Sequence, residues 1–253
     1  MPERGTRRSG NLRARRIVRT MDAIHWHGAI ACDFEAAYTR SPRFKERLAV
    51  WSELIQRYSK IGGRVLDVGC GPGLLASIAA DRAAAVLAFD ASLEMVGLAQ
   101  ARVRSAGRHN VRVLQGFIGD PQLLGDQRFD LVVCSSVLEY INQLGAGLDW
   151  LVGALDPGGV LLVSLPNGGS LYRKVEGVIH RWIGRPAYYR HVRHVPTSER
   201  AGADLVVRGL RVEETRYYSP APLLSRLARA AGRPELADTM FVLAARRVDE
   251  AVR

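Results

Sequence analysis

The amino-acid sequence predicts an α/β protein in which a mostly parallel sheet carries helices on both faces. Short apolar runs rich in β-branched residues, such as residues 64–68 and 129–134, have the length of buried strands. Helix-length segments alternate with these runs, as is typical of parallel sheets. Between residues 64 and 75 a strand leads into a glycine-rich turn and then a helix, an arrangement that can bind a ligand at the helix start.

The composition is that of a globular chain of one large domain. The chain has 253 residues, of which 47% are hydrophobic. No apolar run is long enough to span a membrane and no secretory leader is recognisable, so we expect a cytoplasmic protein. Cys32, Cys70 and Cys134 are widely spaced and predict neither a disulfide framework nor a zinc site.

Positive charge is concentrated at the N-terminus. The net charge is +11, and residues 1–20 contain seven arginines. Such a charge attracts nucleic acid, acidic lipid or an anionic small molecule. We predict a disordered basic arm over residues 1–20 and a folded domain over residues 21–253. No aromatic residue alternates with these arginines as a nucleic-acid platform requires, so nucleic acid is not the favoured partner.

A helix is predicted to precede the first strand. It starts at Pro42, with Ser41 at the N-cap, and its apolar residues recur on one face as far as Tyr58. Glycines at 62 and 63 end this helix and lead into the strand at residues 64–68.

Glycines at alternate positions follow that first strand. Gly69, Gly71 and Gly73 allow a ligand to approach the backbone N–H groups at the start of the next helix. Their spacing differs from the G-x-G-x-x-G of dinucleotide-binding proteins. Asp67 would repel a pyrophosphate at this position, whereas its carboxylate suits a ligand that carries an ammonium group.

Residues 65–73, Val-Leu-Asp-Val-Gly-Cys-Gly-Pro-Gly, resemble the first motif of class I S-adenosylmethionine-dependent methyltransferases. The resemblance extends over about residues 42–248. It implies a Rossmann-like sheet of seven strands, mostly parallel with an antiparallel last strand. It also implies S-adenosylmethionine as cofactor and S-adenosylhomocysteine as product. The motif residues implied to bind this cofactor are Asp67, Gly69, Cys70, Gly71 and Gly73.

The same resemblance implies cofactor contacts outside the glycine turn. Arg47 is similar in context to an arginine that binds the cofactor carboxylate in ubiquinone-type O-methyltransferases. Asp90 ends the second strand about 20 residues beyond the glycines, where an acidic side chain binds the ribose, and Ala91 follows it. Met95 matches the methionine beside the adenine in the pattern Asp-x-Ser-x-x-Met.

The adenine contacts depart from the pattern of the relatives. Relatives continue the third strand with Gly-Asp, and the aspartate binds the adenine amino group, but here Phe117 takes that position. The adenine could be held by stacking and by the backbone N–H of Ile118, or by Asp120.

Residues past the carboxyl end of the fourth strand are expected to lie between cofactor and acceptor. Cys134 and Ser135 are candidate cofactor contacts there. Tyr140 stands where relatives commonly have histidine, and we take it as a candidate acceptor-binding residue. Tyr38 is a second candidate, because an N-terminal helical segment covers the ligand cleft in this family.

Basic and aromatic residues interleave over residues 168–196, after the fifth strand, and we predict that this insertion is an acceptor lid. Arg190 and Arg193 could bind an anionic acceptor. His191 or His194 could act as the general base for a hydroxyl group. Their spacing lacks a third ligand, so no metal site is predicted. A solvated helical insertion is the alternative.

The C-terminal elements follow from the same patterns. Asp-Pro-Gly-Gly at residues 156–159 predicts the end of a helix. The predicted elements are helix 143–155, strand 160–165, a helix capped by Thr197 or Ser198 and ending at Gly209, strand 210–218, helix 221–231 and strand 239–245.

The sequence therefore predicts methyl transfer to a hydroxyl oxygen of a small molecule, which would be anionic or aromatic. The pattern is most similar to ubiquinone-type and natural-product O-methyltransferases. N- or C-methylation and methylation of RNA or protein stay open, as do the acceptor's identity and the oligomeric state. Residues 134–137 lack the Pro-Pro motif of base N-methyltransferases, and the intact glycine turn argues against a non-catalytic domain.

Overall fold

The computed structural model describes residues 24–26, 28–29, 31–221 and 224–248. The predicted basic arm lies outside the described residues. The strands are β1 (Arg64–Val68), β2 (Ala85–Asp90), β3 (Val111–Gln115), β4 (Phe129–Ser135), β5 (Leu155–Pro166), β6 (Leu210–Tyr218) and β7 (Met240–Arg247). The helices are α1 (Ala31–Arg40), α2 (Pro42–Tyr58), α3 (Leu74–Ala79), α4 (Leu93–Ser105), α5 (Pro121–Leu124), α6 (Leu144–Gly153), α7 (Leu171–Ile183), α8 (Ser198–Val206) and α9 (Leu224–Ala230), with 3-10 turns at Ala187–His191 and Pro234–Leu236.

The strands form one sheet in the order β3-β2-β1-β4-β5-β7-β6. β7 runs antiparallel to both of its neighbours, and the pairings among β1 to β5 are parallel. The predicted fold, mostly parallel with an antiparallel last strand, is therefore confirmed. The strand order reverses between β1 and β4, and in such sheets a crevice opens at this point beyond the carboxyl ends of the strands.

Helices cover both faces of the sheet, and the alternation of side chains along β1 shows how. Val65 packs into a core cluster with α2, α3 and α4, whereas Leu66 and Val68 pack into a second cluster with α6 and α8. Because alternate residues share a face, Asp67 lies on the same face as Val65. This places its carboxylate on the side of the sheet that α2 covers.

A side chain caps the starts of both α4 and α8, and the cap of α8 is one of the two residues predicted for it. The hydroxyl of Ser92 accepts a hydrogen bond from the Met95 N–H, and Thr197 caps α8 in the same way. Ser41 is the N-cap residue of α2 but makes no side-chain hydrogen bond there. No helix in the described part of the chain is both long and apolar enough to cross a bilayer.

β5 starts five residues earlier than the predicted strand, at Leu155. Phe129 of β4 pairs with Leu155 and Leu131 pairs with Val160, so residues 156–159 bulge out of the register. Gly158 has a φ of +70° within this bulge. The Asp-Pro-Gly-Gly sequence therefore forms an irregularity inside a strand, and α6 already ends at Gly153.

Candidate functional site

A cavity of about 870 Å³ opens beyond the carboxyl ends of β1, β2 and β4. Helices α1 and α2 close one side of it and α7 closes another. This volume lies within the ~300–1,000 Å³ range of small-molecule sites. The predicted site residues that line the cavity are Tyr38, Arg47, Gly69, Cys70, Gly71, Asp90, Ala91, Met95, Phe117, Ile118, Ser135 and Tyr140.

The glycine turn is fixed to the end of β2 by the Asp90 carboxylate. One oxygen of Asp90 accepts a 2.9 Å hydrogen bond from the Gly71 N–H, and the other accepts a 2.9 Å bond from the Ser92 N–H. Gly69 and Gly71 have φ values of +65° and +52°, in the left-handed region that favours glycine. Asp90 thus fixes the position of the turn at the cavity wall, and each of its oxygens can still accept a further hydrogen bond from a ligand.

Asp67 carries a buried carboxylate without a partner. The residue is 1% exposed, and neither oxygen has a hydrogen-bond partner among the described residues. Burial, and to a smaller extent the negative charge of Asp90, raises the pKa of Asp67 to about 7, although the nearby Ala76 backbone N–H and the positive charge of Arg47 oppose the shift. Asp67 does not line the cavity but lies close to Arg47 and Cys70, which do. A cationic ligand group would compensate this charge across the cavity wall.

Arg47 supplies a positive charge to the same part of the cavity. Its Nη2 atom donates hydrogen bonds to the Ser135 hydroxyl at 2.7 Å and the Ser135 carbonyl at 3.3 Å. Asp67 and Arg47 therefore present opposite charges to one region. Opposite charges of this kind match the ammonium and the carboxylate of an α-amino acid group.

Glu139 is a second buried carboxylate, and it lines the cavity directly. It is 2% exposed, and its Oε2 atom has no hydrogen-bond partner within the described structure. Burial raises the pKa of Glu139 to about 7, although the positive charges of Arg47 and Arg173 oppose the shift. Ser136, three residues before Glu139, has a left-handed φ of +57°, and its N–H donates to the Ser164 hydroxyl at 3.0 Å.

The predicted lid reaches the cavity, but through residues other than the four predicted from the sequence. Arg173 is 5% exposed and donates to the Tyr188 hydroxyl at 2.6 Å and to Glu176 at 2.9 Å. All three residues line the cavity. Arg173 and Glu176 are three positions apart and therefore lie on one face of the helix. This spacing is the sequence pattern from which their ion pair could have been predicted. The sequence pattern did not point to Glu139, because the position that matches a histidine of the relatives is that of its neighbour Tyr140.

Besides Asp67, two further predicted cofactor residues lie away from the cavity wall. Gly73 is the N-cap of α3, and a Cβ atom there would lie 2.9 Å from the Ala99 Cβ atom, so it permits close packing of α3 on α4. Cys134 is fully buried in the core on the α6 face of the sheet. Asp120 caps α5 through a bond from the Gln122 N–H and does not line the cavity either.

The four lid residues chosen from the sequence also lie outside the cavity wall. The Nε2 atom of His194 lies 3.0 Å from the Ile141 carbonyl, to which it can only donate, so this nitrogen carries a proton already. Nε2 of His191 accepts a bond from Arg190, and Arg193 bonds to the Asn142 side chain. The predicted roles of these four residues in catalysis and acceptor binding therefore gain no support. Among the described residues, no group of three or more potential metal ligands occurs.

Comparison with known proteins decides the family. Residues 43–215 match a family model described as a methyltransferase domain. A ubiquinone biosynthesis O-methyltransferase of Xanthomonas axonopodis pv. citri is 30% identical over 184 residues, 71% of this chain and 75% of that protein. The chain belongs to the class I S-adenosylmethionine-dependent methyltransferases.

Two further comparisons describe how far this likeness extends. A ubiquinone biosynthesis O-methyltransferase of Xylella fastidiosa strain M23 is 36% identical to this methyltransferase over 114 residues. That match covers 44% of this chain and 45% of the relative, so the chain spans less than half the relative's length. Magnesium protoporphyrin IX methyltransferase from Synechocystis PCC 6803, solved with bound SAH, shares the fold with a TM-score of 0.68 at 18% identity. The alignment covers 91% of this chain and 98% of that one.

The residues of the methyltransferase fit its cofactor, S-adenosylmethionine. The amino acid end of this cofactor matches the opposite charges of Arg47 and Asp67. The free lone pairs of Asp90 can accept hydrogen bonds from ribose hydroxyls. Phe117, 44% exposed in the cavity wall, offers a ring on which adenine could stack. The unpartnered oxygens of Asp67 are the observation that most favours a ligand with a positive charge.

Gly69→Ala is expected to weaken cofactor binding, and Gly62→Ala is its matched control. Both glycines have a positive φ, but an added Cβ at Gly69 would lie 2.3 Å from the Val137 Cγ2 atom, whereas nothing lies within 4 Å at Gly62. Each variant should lose about 1–2 kcal/mol of stability from backbone strain. Only Gly69→Ala should also displace the turn. Calorimetry with S-adenosylhomocysteine measures the difference, and equal affinities in the two variants would contradict the expectation.

Proposed function

We propose that this methyltransferase methylates a hydroxyl oxygen of a small-molecule acceptor, and that Glu139 removes the hydroxyl proton. The observation that carries the proposal is the environment of Glu139. Its carboxylate is buried in the cavity wall with one unpartnered oxygen, and burial raises its pKa to about 7. A general base works best when its pKa lies near the operating pH.

Methyl transfer from an activated donor requires little chemistry from the protein itself. S-adenosylmethionine supplies a methyl group on a sulfonium that is already activated. The chain's contribution is then to align the acceptor, exclude water and take one proton. Glu139 is suited to the last task, because half of it is ionised near neutral pH and no other hydrogen bond occupies its Oε2 atom.

The wall of the cavity favours an acceptor with an aromatic ring. Glu176 already pairs with Arg173, so this guanidinium contributes little uncompensated positive charge. Arg47 is the partner that we assign to the cofactor carboxylate. The aromatic side chains that line the cavity are Trp26, Tyr38, Phe44, Phe89, Phe117, Tyr140, Tyr188 and Tyr218. The names of the O-methyltransferase relatives support oxygen as the acceptor atom.

A transfer assay with isotope-labelled S-adenosylmethionine tests the acceptor class. The purified chain is incubated separately with the small-molecule, RNA and protein fractions of a cell extract. We expect label in the small-molecule fraction, in a product whose mass spectrum identifies a methyl ether. Label that appears only in RNA or protein would overturn the proposal, and so would a small-molecule product methylated on nitrogen or carbon.

A further inference from the structure

Helix α7 carries a continuous apolar stripe that faces solvent. The exposed fractions of its side chains range from 43% at Ile179 to 83% at Trp182. The residues of the stripe recur every three or four positions, as on one face of a helix. They are Leu171, Val175, Val178, Ile179, Trp182 and Ile183.

The opposite, polar face of α7 is held against the body of the protein. Arg173 is buried there, with a hydrogen bond to the Thr239 carbonyl at 3.0 Å besides its bonds to Glu176 and Tyr188. The ring of His180 stacks at 5.1 Å on Tyr189. The usual orientation of an amphipathic helix is thus reversed, since specific polar contacts fix the apolar stripe outward.

Positive charge borders this stripe. Lys174 and Arg181 are seven positions apart, which places them two turns from each other along one edge of the stripe. Arg185 follows just beyond the end of the helix, and all three side chains are exposed. None of them has a carboxylate within salt-bridge distance among the described residues.

We propose that α7 docks this methyltransferase on a membrane surface that contains anionic lipid. An apolar stripe with a tryptophan and a border of basic residues is the combination that inserts shallowly between lipid headgroups. A second copy of the chain is a poorer occupant, because facing stripes would bring their basic borders together. With 13 residues the helix lies along such a surface and does not cross it.

This inference does not depend on the identity of the acceptor or on Glu139, because the stripe lies on the face of α7 that points away from the cavity. It does predict where the cavity lies during binding. Arg173 and Glu176 line the cavity from the other face of the same helix. Docking therefore places the cavity about one helix diameter, ~10 Å, from the membrane surface.

Flotation of the full chain with vesicles tests the proposal. We expect binding to vesicles of phosphatidylcholine mixed with phosphatidylglycerol, weakened by salt, and little binding to phosphatidylcholine alone. Val178→Glu should reduce the vesicle affinity about 10- to 100-fold, the effect of losing one buried apolar side chain. Val206→Glu is the matched control, since Val178 is 58% exposed and Val206, at the end of α8, is 56% exposed.

Two further measurements make the result decisive. Binding should shift the fluorescence of Trp182 to shorter wavelength, and Trp182→Phe should remove that shift while vesicle binding persists. S-adenosylhomocysteine affinity reports whether each variant is folded, and Trp182→Glu replaces Val178→Glu if the latter is not. Equal flotation of the Val178→Glu and Val206→Glu variants, or no flotation with either vesicle, would overturn the proposal. A dimer in sedimentation equilibrium that Val178→Glu dissociates would assign the stripe to a second copy instead.

Discussion

Replacement of Glu139 by glutamine is expected to lower turnover about 10²–10⁴-fold, the usual contribution of a positioned general base. The amide has nearly the same shape but cannot accept a proton at any accessible pH. Cofactor affinity should stay near the parental value, because Arg47, Asp67, Asp90 and the glycine turn are unchanged. Single-turnover rates and calorimetry with S-adenosylhomocysteine separate the two effects.

The pH profile distinguishes a base from a structural role for Glu139. The ionised form is the active one, so parental turnover should rise with pH and level off above about 7, where the pKa of Glu139 lies. The charged and titratable groups that influence this carboxyl are Arg47 on α2, Arg173 on α7, Cys134 on β4 and Tyr140 in the segment after β4. Neither Tyr140 nor Cys134 is expected to titrate between pH 5 and 8, since burial raises the pKa values of both. Glu139→Gln should abolish the rise.

His194→Ala is the comparison variant, because the sequence alone favours a histidine base. His194 donates to the Ile141 carbonyl and does not line the cavity, so its loss should leave the rate within a few-fold of the parent and the pH profile unchanged. A large loss of turnover in His194→Ala together with normal rates in Glu139→Gln would contradict the assignment of the base.

Asp67→Asn is expected to change stability and cofactor binding in opposite directions. In the cofactor-free protein the burial of the Asp67 carboxylate outweighs the opposing effects of the Ala76 N–H and of Arg47, so a neutral amide of the same size should raise the free energy of unfolding. The same change removes the negative charge that compensates the cofactor's ammonium group. We expect an affinity loss of about 150-fold or more, which corresponds to the ~3–5 kcal/mol range for breaking a buried charge pair.

The sign of the pH dependence follows from the direction of the pKa shift. The folded-state pKa of Asp67 is about 7, raised from its usual value of 3.8, so the folded state binds a proton more tightly than the unfolded state. The parental protein should therefore lose stability as pH rises from about 4 to 7, by as much as about 4 kcal/mol. Asp67→Asn should remove this contribution.

Urea unfolding of the cofactor-free protein at pH 5 and pH 8 measures the effect. Asp126→Asn is a suitable control, because Asp126 is exposed and should affect neither stability nor affinity. If Asp67→Asn destabilised the empty protein at pH 8, its carboxylate would have a partner that compensates its charge.

Local patterns determine the parts of the fold and site that the sequence predicts well. Residues 65–73 carry the strand, the turn and the ligand chemistry within one short stretch, and the Asp90 contact to Gly71 needs only the next strand. The position of Arg173 in the cavity wall could not be predicted from a local pattern of this kind. Its role depends on Tyr188 and Thr239, which lie 15 and 66 residues away in sequence. The hydrogen bond of His194 could not be predicted either, because the carbonyl that accepts it is 53 residues distant in sequence.

The orientation of α7 shows a second limit of sequence patterns. Periodicity identifies an apolar stripe but does not say whether the stripe faces the core or solvent. Buried polar contacts of Arg173 decide the orientation here. A similar ambiguity affects β5, where Asp-Pro-Gly-Gly has the composition of a helix end. Leu155 before it and Val160 after it both pair with β4, so these four residues lie inside a strand.

The cavity takes its walls from both ends of the chain, and this has a consequence for how the protein is made. Tyr38 and Arg47 precede the sheet, whereas Tyr218 and Met240 come from its last two strands. A nascent chain that has left the ribosome only as far as β5 already contains the glycine turn, but it lacks the part of the cavity wall that β6 and β7 supply. The residues that we assign to the cofactor all precede β5, so β6 and β7 complete the remaining wall of the cavity and not the cofactor contacts.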